Sequence, residues 1–244
     1  MLKDYGIEGI YIVHAKEGYE MHEQRINEIF GKLNLEYEFV SDGDISNFNF
    51  GVLQKYFCNS INNKLSAGVL SCTLNHIMCY ERLIKNNNRF ALIFENDPFF
   101  LGDFLNKIEK VAIEATNLEP GFIISLENTT LQFPDFRKIK KDKYLYEAFS
   151  GRCAGAYLID LKGAKDILEN VKTEKCCDVI DLWHNTLINN KIIRMYWAHP
   201  PLVEQGSHNG LLSSTISSKN KSMVRRLSWN AQKFYKMYIY RWFK

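Results

Sequence analysis

Apolar residues in this chain come in short dense runs, separated by longer segments in which they recur every three or four positions. The run IEGIYIVHA from Ile7 is β-branched and aromatic and predicts a buried strand. EGYEMHEQRINEIFGKL after it predicts a helix, with Met21, Ile26, Ile29, Phe30 and Leu33 at helical spacing. LEYEFVSDGD then alternates apolar and polar residues before a turn-rich Ser-Asp-Gly-Asp, and a β-α-β opening of this kind is the signature of a mostly parallel sheet. Residues 45–66 are rich in asparagine and aromatics without a clear period and read as an irregular excursion. SAGVLSCTLNHIMCYERLIK, residues 66–85, repeats at helical spacing through Val69, Leu70, Leu74, Ile77, Met78 and Leu83 behind a serine cap. The asparagines that follow break it, and ALIF begins the next strand. Beyond it the pattern predicts a helix over 104–116, the strand GFIISLEN, a short polar and basic stretch PDFRKIKKDKY and the strand GAYLIDL. The helices KGAKDILENV and VIDLWHNTLINN come next, and a last strand KIIRMYWAHPPLVEQ enters a loop. Strands alternating with helices predict an α/β fold with a mostly parallel central sheet flanked by helices.

Composition narrows the class. A chain of 244 residues with 46% hydrophobic and 14% aromatic residues buries a large core, as one α/β domain or one domain with an appendage. The start, MLKDYGIEGIYIVH, carries Lys3, Asp4 and Glu8 ahead of any apolar run, which is unlike a signal peptide, and no run approaches a membrane span. Six cysteines without a CxxC pair or zinc-finger spacing predict reduced thiols in a cytosolic protein. The net charge of +3 conceals an asymmetry: 23 of the 31 basic residues and all 28 acidic ones fall in residues 1–204, a net of −5, and the other eight basic residues follow. A mildly acidic body carries a basic tail.

Residues 91–100, ALIFENDPFF, hold the clearest candidate chemistry. In open α/β sheets, ligands bind outside the carboxyl ends of the strands, where ALIF delivers Glu95 and Asp97. Residues i and i+2 of an extended chain point to one side, so these carboxylates can converge on one cation while Asn96 faces away. An oxygen-only pair suits Mg²⁺ or Mn²⁺ holding a diphosphate. The three residues alone fit an acidic turn at a strand end equally well.

GIYIVHAKEGYEMHEQRI, SAGVLSCTLNHIMCYERLI, ALIFENDPFF, CAGAYLIDLKGAKDIL, VIDLWHNTLI and AHPPLVEQGSHNGLLSSTI together resemble, in order and spacing, glycosyltransferase family 25. That family contains lipooligosaccharide galactosyltransferases of Gram-negative bacteria and procollagen galactosyltransferases. The resemblance covers roughly residues 7–217. The family's Gly-x-x-x-Cys-x-x-Ser-His pattern falls on Gly68, Cys72, Asn75 and His76, with Asn in place of Ser. Its Glu-Asp-Asp falls on Glu95, Asn96 and Asp97, and its Asn-Leu after the first strand is His14-Ala15 here.

The resemblance implies a GT-A-type domain over residues 1–217, a nucleotide-sugar donor and transfer with inversion at the anomeric carbon. UDP-galactose is the family's commonest donor, and the implied acceptor is lipooligosaccharide or another surface glycan. Glu95 and Asp97 would hold Mn²⁺ or Mg²⁺, with His208 of the late loop EQGSHNG placed to complete the shell. Asp181 is the candidate general base and Glu127 the second candidate. His14, Lys16, Arg25, His76, Asn96 and Tyr157 are the candidate donor contacts. A core histidine satisfied by its neighbours serves equally well as the reading of His76, and Lys16 and Arg25 also fit plain surface charges. Asn96, His14-Ala15 and Asn75 motivate a competing reading, an idle relative that binds a glycan or partner without turnover.

The tail, residues 218–244, puts Val224, Leu227, Ala231, Phe234, Tyr235, Tyr238, Ile239 and Trp242 on one helical face and Arg225, Arg226, Lys233, Lys236 and Lys244 largely on the other. Such a helix can lie on an anionic bilayer, which implies a protein held peripherally at the cytoplasmic face of the inner membrane, near a lipid-linked acceptor. A terminal helix docked on the body is the alternative. The acidic body and the helical spacing of the tail's aromatics speak against a nucleic-acid partner.

Overall fold

The sheet is covered on both faces, which is why its strands read as continuous apolar runs. In chain order the elements are β1 (Ile7–Val13), α1 (Glu20–Lys32), β2 (Glu38–Val40), α2 (Phe50–Tyr56), α3 (Ile61–Lys64), α4 (Ala67–Lys85), β3 (Phe90–Glu95) and β4 (Pro98–Phe100). They continue with α5 (Phe104–Ala115), β5 (Phe122–Ser125), β6 (Leu145–Ala148), β7 (Ala156–Asp160), α6 (Leu161–Thr173), α7 (Ile180–Asn189), β8 (Arg194–Ala198) and β9 (Val203–Gln205). The computed structural model describes residues 2–127, 133–151, 154–206, 228 and 231–239. Seven strands form one sheet in the order β2-β1-β3-β7-β5-β8-β6. β1 runs parallel to β2 and β3, and β5 to β8, while β7 and β6 run the opposite way.

β3 shows how each face is filled. Ala91 and Ile93 join the core beneath α2, α3, α4, α6 and α7, whereas Phe90, Leu92 and Phe94 join the one beneath α1 and α5. Every one of these five side chains is buried. At about 25 cal/mol per Å² of apolar surface, Phe90, Leu92, Ile93 and Phe94 each contribute on the order of 2 kcal/mol, and the smaller Ala91 less. The predicted alternation and mostly parallel sheet are present.

Five details differ from the pattern's expectation. Residues 45–66 are not irregular throughout: α2 and α3 lie there, and Asn49 caps α2 by accepting from Val52 N at 2.9 Å. Short helices of this kind carry too few turns for a period to show. β6 follows the polar stretch 134–144 and pairs with β8. β4 and β9 form a separate antiparallel pair, three residues each, so PFF and VEQ find their partners across the chain. Met21 is 84% exposed, leaving Ile26 and Phe30 as the buried residues of α1, and Ser66 stands before α4 without a side-chain cap bond.

Within the tail, residues 231–239 are helical, and Lys233 pairs with Glu204 of β9. Phe234, Tyr235 and Ile239 are exposed. Val224, Leu227, Arg225, Arg226, Trp242 and Lys244 lie outside the described residues. Among the described residues, no helix is long and apolar enough to cross a membrane.

Candidate active site at the carboxyl ends of the first and third strands

The carboxyl ends of the parallel strands β1 and β3 open onto a cavity of about 370 Å³. His14 and Lys16 enter it from the end of β1, Asp44 from the loop after β2, Cys72 and Asn75 from α4, and Glu95, Asn96 and Asp97 from the end of β3. The strand stops at Glu95, so two-residue alternation does not carry through Asn96, and all three residues reach the wall. Asn96 borders the cavity together with Glu95 and Asp97. Its carbonyl oxygen is 3.2 Å from His22 Nδ1.

Each wall residue is fixed from behind. Asn75 Nδ2 donates to His14 O at 3.4 Å, and Asn75 Oδ1 accepts from Gly43 N at 2.7 Å, joining α4 to the ends of β1 and β2. A Cβ at Gly43 would sit 2.9 Å from Asn75 N and Oδ1, so glycine is what allows that approach. The buried His14 ring packs against Phe39 at 4.7 Å between centroids, with its Nε2 3.6 Å from Glu23. Burial pulls the His14 pKa below its ordinary value and the Glu23 carboxylate works against that shift. Arg25 donates to Pro98 O at 2.6 Å and stacks over Phe99 at 4.0 Å, bracing α1 against the turn that carries Asp97. Burial lowers the Arg25 pKa while the nearby Asp97 raises it. Asp97 is buried, and its carbonyl accepts from Gly206 N at 2.9 Å.

Glu95 stands where two sets of neighbours meet. Gln205 Nε2 donates to its Oε2 at 3.2 Å, and Gly155 leaves room for that amide, since a Cβ there would lie 1.8 Å from it. On the other side, Oε1 is 3.7 Å from His76 Nε2 and 4.0 Å from Cys72 Sγ. Burial first, then the Glu95 charge, pushes the Cys72 thiol well above the ordinary range. Behind His76 runs a buried polar chain. His76 Nδ1 is 2.9 Å from the Tyr157 hydroxyl, that hydroxyl is 2.8 Å from the Tyr80 hydroxyl, and this one is 2.7 Å from His184 Nε2. Both tyrosine hydroxyls are pushed well above their usual range by burial. His184 is pushed down to about 3, by burial first and then by His76.

The chain matches Glycosyltransferase family 25 (LPS biosynthesis protein) over residues 10–182, a stretch that runs from β1 into α7 and holds every cavity residue named above. It belongs to glycosyltransferase family 25. It is 24% identical over 237 residues to a Glycosyltransferase 25 family member of Aedes aegypti, covering 87% of this chain and 39% of that protein. It is 26% identical over 145 residues to the Lipooligosaccharide biosynthesis protein lic2B of Haemophilus influenzae, covering 58% and 52%. A second Haemophilus influenzae protein matches at 28% over 187 residues, covering 71% and 64%. The chain thus spans less than two thirds of the length of each of these curated relatives.

Of the residues expected in the site of this family 25 chain, His14, Lys16, Glu95, Asn96 and Asp97 line the cavity. His76 and Tyr157 lie behind its wall, and Arg25 supports it from α1. Asp181 opens α7 beside a second, small cavity that it shares with His184 and Asn185; its charge is felt at Cys72. Glu127 is buried and accepts from Gly155 N at 2.7 Å. His208 lies outside the described residues. Gln205, Tyr80 and His184 were absent from the expected site, and no local signal marks them; they reach it only through contacts more than seventy residues distant in sequence. Cys72 was visible in the sequence as part of the family motif.

Two donor sets in the described residues can receive a cation. Glu95 and Asp97 offer oxygens alone, whereas Cys72, His76 and Glu95 offer sulfur, nitrogen and oxygen, all within 4.8 Å of one another.

Proposed function

We propose that this protein is an inverting glycosyltransferase that moves a hexose, galactose from UDP-galactose, onto a lipooligosaccharide or other bacterial surface glycan. One observation carries the reading: in a family 25 chain, Glu95 and Asp97 both line the cavity beyond the carboxyl ends of β1 and β3, where open α/β sheets bind ligands. A GT-A-type arrangement of the sheet and its site is part of this reading.

The acceptor hydroxyl oxygen attacks the anomeric carbon as the bond from that carbon to the diphosphate oxygen breaks, and the leaving diphosphate keeps the electron pair. Asp181 takes the hydroxyl proton, with Glu127 the second candidate. The donor set of Glu95 and Asp97 fits Mg²⁺ or Mn²⁺, which when bound would neutralise charge on the diphosphate. Lys16 offers the donor a cation at the cavity wall, the buried His14 ring backs that wall, and Arg25 braces the turn that carries Asp97. The basic, aromatic tail supports a peripheral position on the cytoplasmic face of the inner membrane, near a lipid-linked acceptor. Co-sedimentation with vesicles containing anionic lipid, reversed by salt, tests that part.

Nucleoside diphosphate release from a panel of nucleotide sugars, with Mn²⁺, Mg²⁺ or chelator and with membrane extract as acceptor source, tests the reaction. The expected result is metal-dependent release from UDP-galactose, lost in Asp97→Ala. Binding of the donor with no release from any of them would replace this reading with that of a glycan- or partner-binding module, which the Asn96 position favours.

A further inference from the structure

We propose that Cys72, His76 and Glu95 form a binding site for a zinc-class divalent ion, with its fourth position facing the cavity. Cys72 and His76 are four residues apart on α4, so both side chains rise from one face of the helix, opposite the end of β3 that carries Glu95. The separations fit. A tetrahedral ion with sulfur at about 2.3 Å and nitrogen or oxygen at about 2.0–2.1 Å holds its donors about 3.4–3.6 Å from each other. Glu95 Oε1 is 3.7 Å from His76 Nε2 and 4.0 Å from Cys72 Sγ. Those two gaps close with side-chain movement of a few tenths of an ångström, and all three donors already lie within 4.8 Å of one another.

An independent feature points to a ligand. His76 is fully buried, yet its Nε2 has no hydrogen-bond partner, because Glu95 stands beyond hydrogen-bond distance. A buried ring nitrogen without a partner costs free energy, and an ion between it and the carboxylate removes that cost. The support behind the donors is that of a metal site. Tyr157 holds His76 Nδ1 at 2.9 Å, which leaves Nε2 as the nitrogen facing the carboxylate, and Gln205 holds the other oxygen of Glu95 at 3.2 Å. Cys72 is half-buried and lines the cavity, so an ion entering from there reaches sulfur, nitrogen and oxygen together while water fills the remaining position. The incoming ion displaces the thiol proton of Cys72, which leaves to solvent.

The chemistry selects the ion. Thiolate with imidazole and carboxylate favours zinc and cobalt over magnesium, which takes oxygen donors. The set shares Glu95 with the oxygen pair of the transfer reaction proposed above and has Cys72 and His76 in place of Asp97, so variants at Cys72 and Asp97 separate the two sites.

The test is a cobalt titration of the chelator-stripped, full-length protein. One equivalent of Co²⁺ is expected to produce thiolate-to-cobalt charge-transfer absorption, bleached by one equivalent of Zn²⁺. The band is lost in Cys72→Ser and kept in Asp97→Asn and in Cys58→Ser/Cys177→Ser. Tyr157→Phe weakens zinc affinity about 10-fold by removing the support of His76. X-ray absorption at the zinc edge needs no variant: one sulfur at about 2.3 Å beside nitrogen and oxygen neighbours at about 2.0–2.1 Å is the expected shell. A shell of oxygen and nitrogen alone, or a cobalt band that survives Cys72→Ser, overturns the site. Metal-dependent sugar transfer without any charge-transfer band would overturn this site and leave the transfer reaction standing, whereas the band without transfer does the reverse.

Discussion

The front of α4 and its back show what one helix does at two ends of the same polar chain. At the front, Cys72, Asn75 and His76 meet the ends of β1 and β3 beside a cavity whose wall carries Lys16, Asp44, Glu95 and Asp97. At the back, Tyr80 meets Tyr157 and His184 in a pocket where every titratable partner is pushed toward its neutral form by burial. His76 and His184 are both buried histidines on opposite ends of this chain. One faces a carboxylate and the other a phenol. The difference separates an end that can exchange with ligands from an end that fixes geometry.

The sharpest way to break that contrast is at the front. Glu95→Gln keeps the shape and removes the charge, and nucleoside diphosphate release is expected to fall about 10³-fold, about 4 kcal/mol of transition-state stabilisation. Its melting temperature should move less than that of a substitution at the back, because Glu95 borders the cavity rather than the core. Unchanged release would place the chemistry elsewhere.

At the back the balance reverses. Tyr80→Phe leaves the Tyr157 hydroxyl and His184 Nε2 facing a ring carbon in a fully buried setting, which costs about 2 kcal/mol. For a domain of this size the midpoint falls by about 4–8 °C, read by thermal unfolding. Turnover of the folded fraction should stay within about 2-fold of wild type. A large loss of turnover without a loss of stability would make the back of α4 part of the reaction.

These two sides were not equally legible in the sequence. The alternation of elements was, since strands covered on both faces show as unbroken apolar runs such as FALIF and AYLI, and α4 shows its period over five turns. Glu95 and Asp97 were legible as well, because a strand's carboxyl end is a position that topology predicts. The short pairing of β4 with β9 was not: three-residue strands carry no period, and Phe99 meets Glu204 across more than a hundred residues. That pairing is what brings Gln205 to Glu95. Tyr80 and His184, which extend the chain behind Tyr157, were hidden for the same reason, each indistinguishable locally from ordinary helix filling. The cysteine spacing gave no zinc motif, because Cys72, His76 and Glu95 come together through packing of α4 against β3.

The smallest expected effect concerns protons at the back. His184 is held at about 3 in the folded chain against 6.5 for an ordinary histidine. Above pH 6.5 both folded and unfolded forms are neutral at this residue, and it contributes no pH dependence. Below that value the unfolded chain takes up a proton that the folded one refuses, so stability falls by about 1.4 kcal/mol per pH unit until the folded value is approached. The groups facing it enforce this: Tyr80 from α4, Tyr157 from β7 and, along α7, the neighbouring ring of Trp183 offer it no negative charge, and His76 adds a repulsive one when protonated. Asp181 shares its small cavity and is the nearest acidic residue on the same helix. Urea unfolding at pH 7 and pH 5.5 reads the result as a difference between wild type and His184→Gln, since carboxylates and His14 contribute to both. Wild type should lose about 1 kcal/mol more than the variant over that interval. An equal loss in the two proteins would mean that His184 is protonated in the folded state, and the neutral back of α4 would then carry a charge like the front.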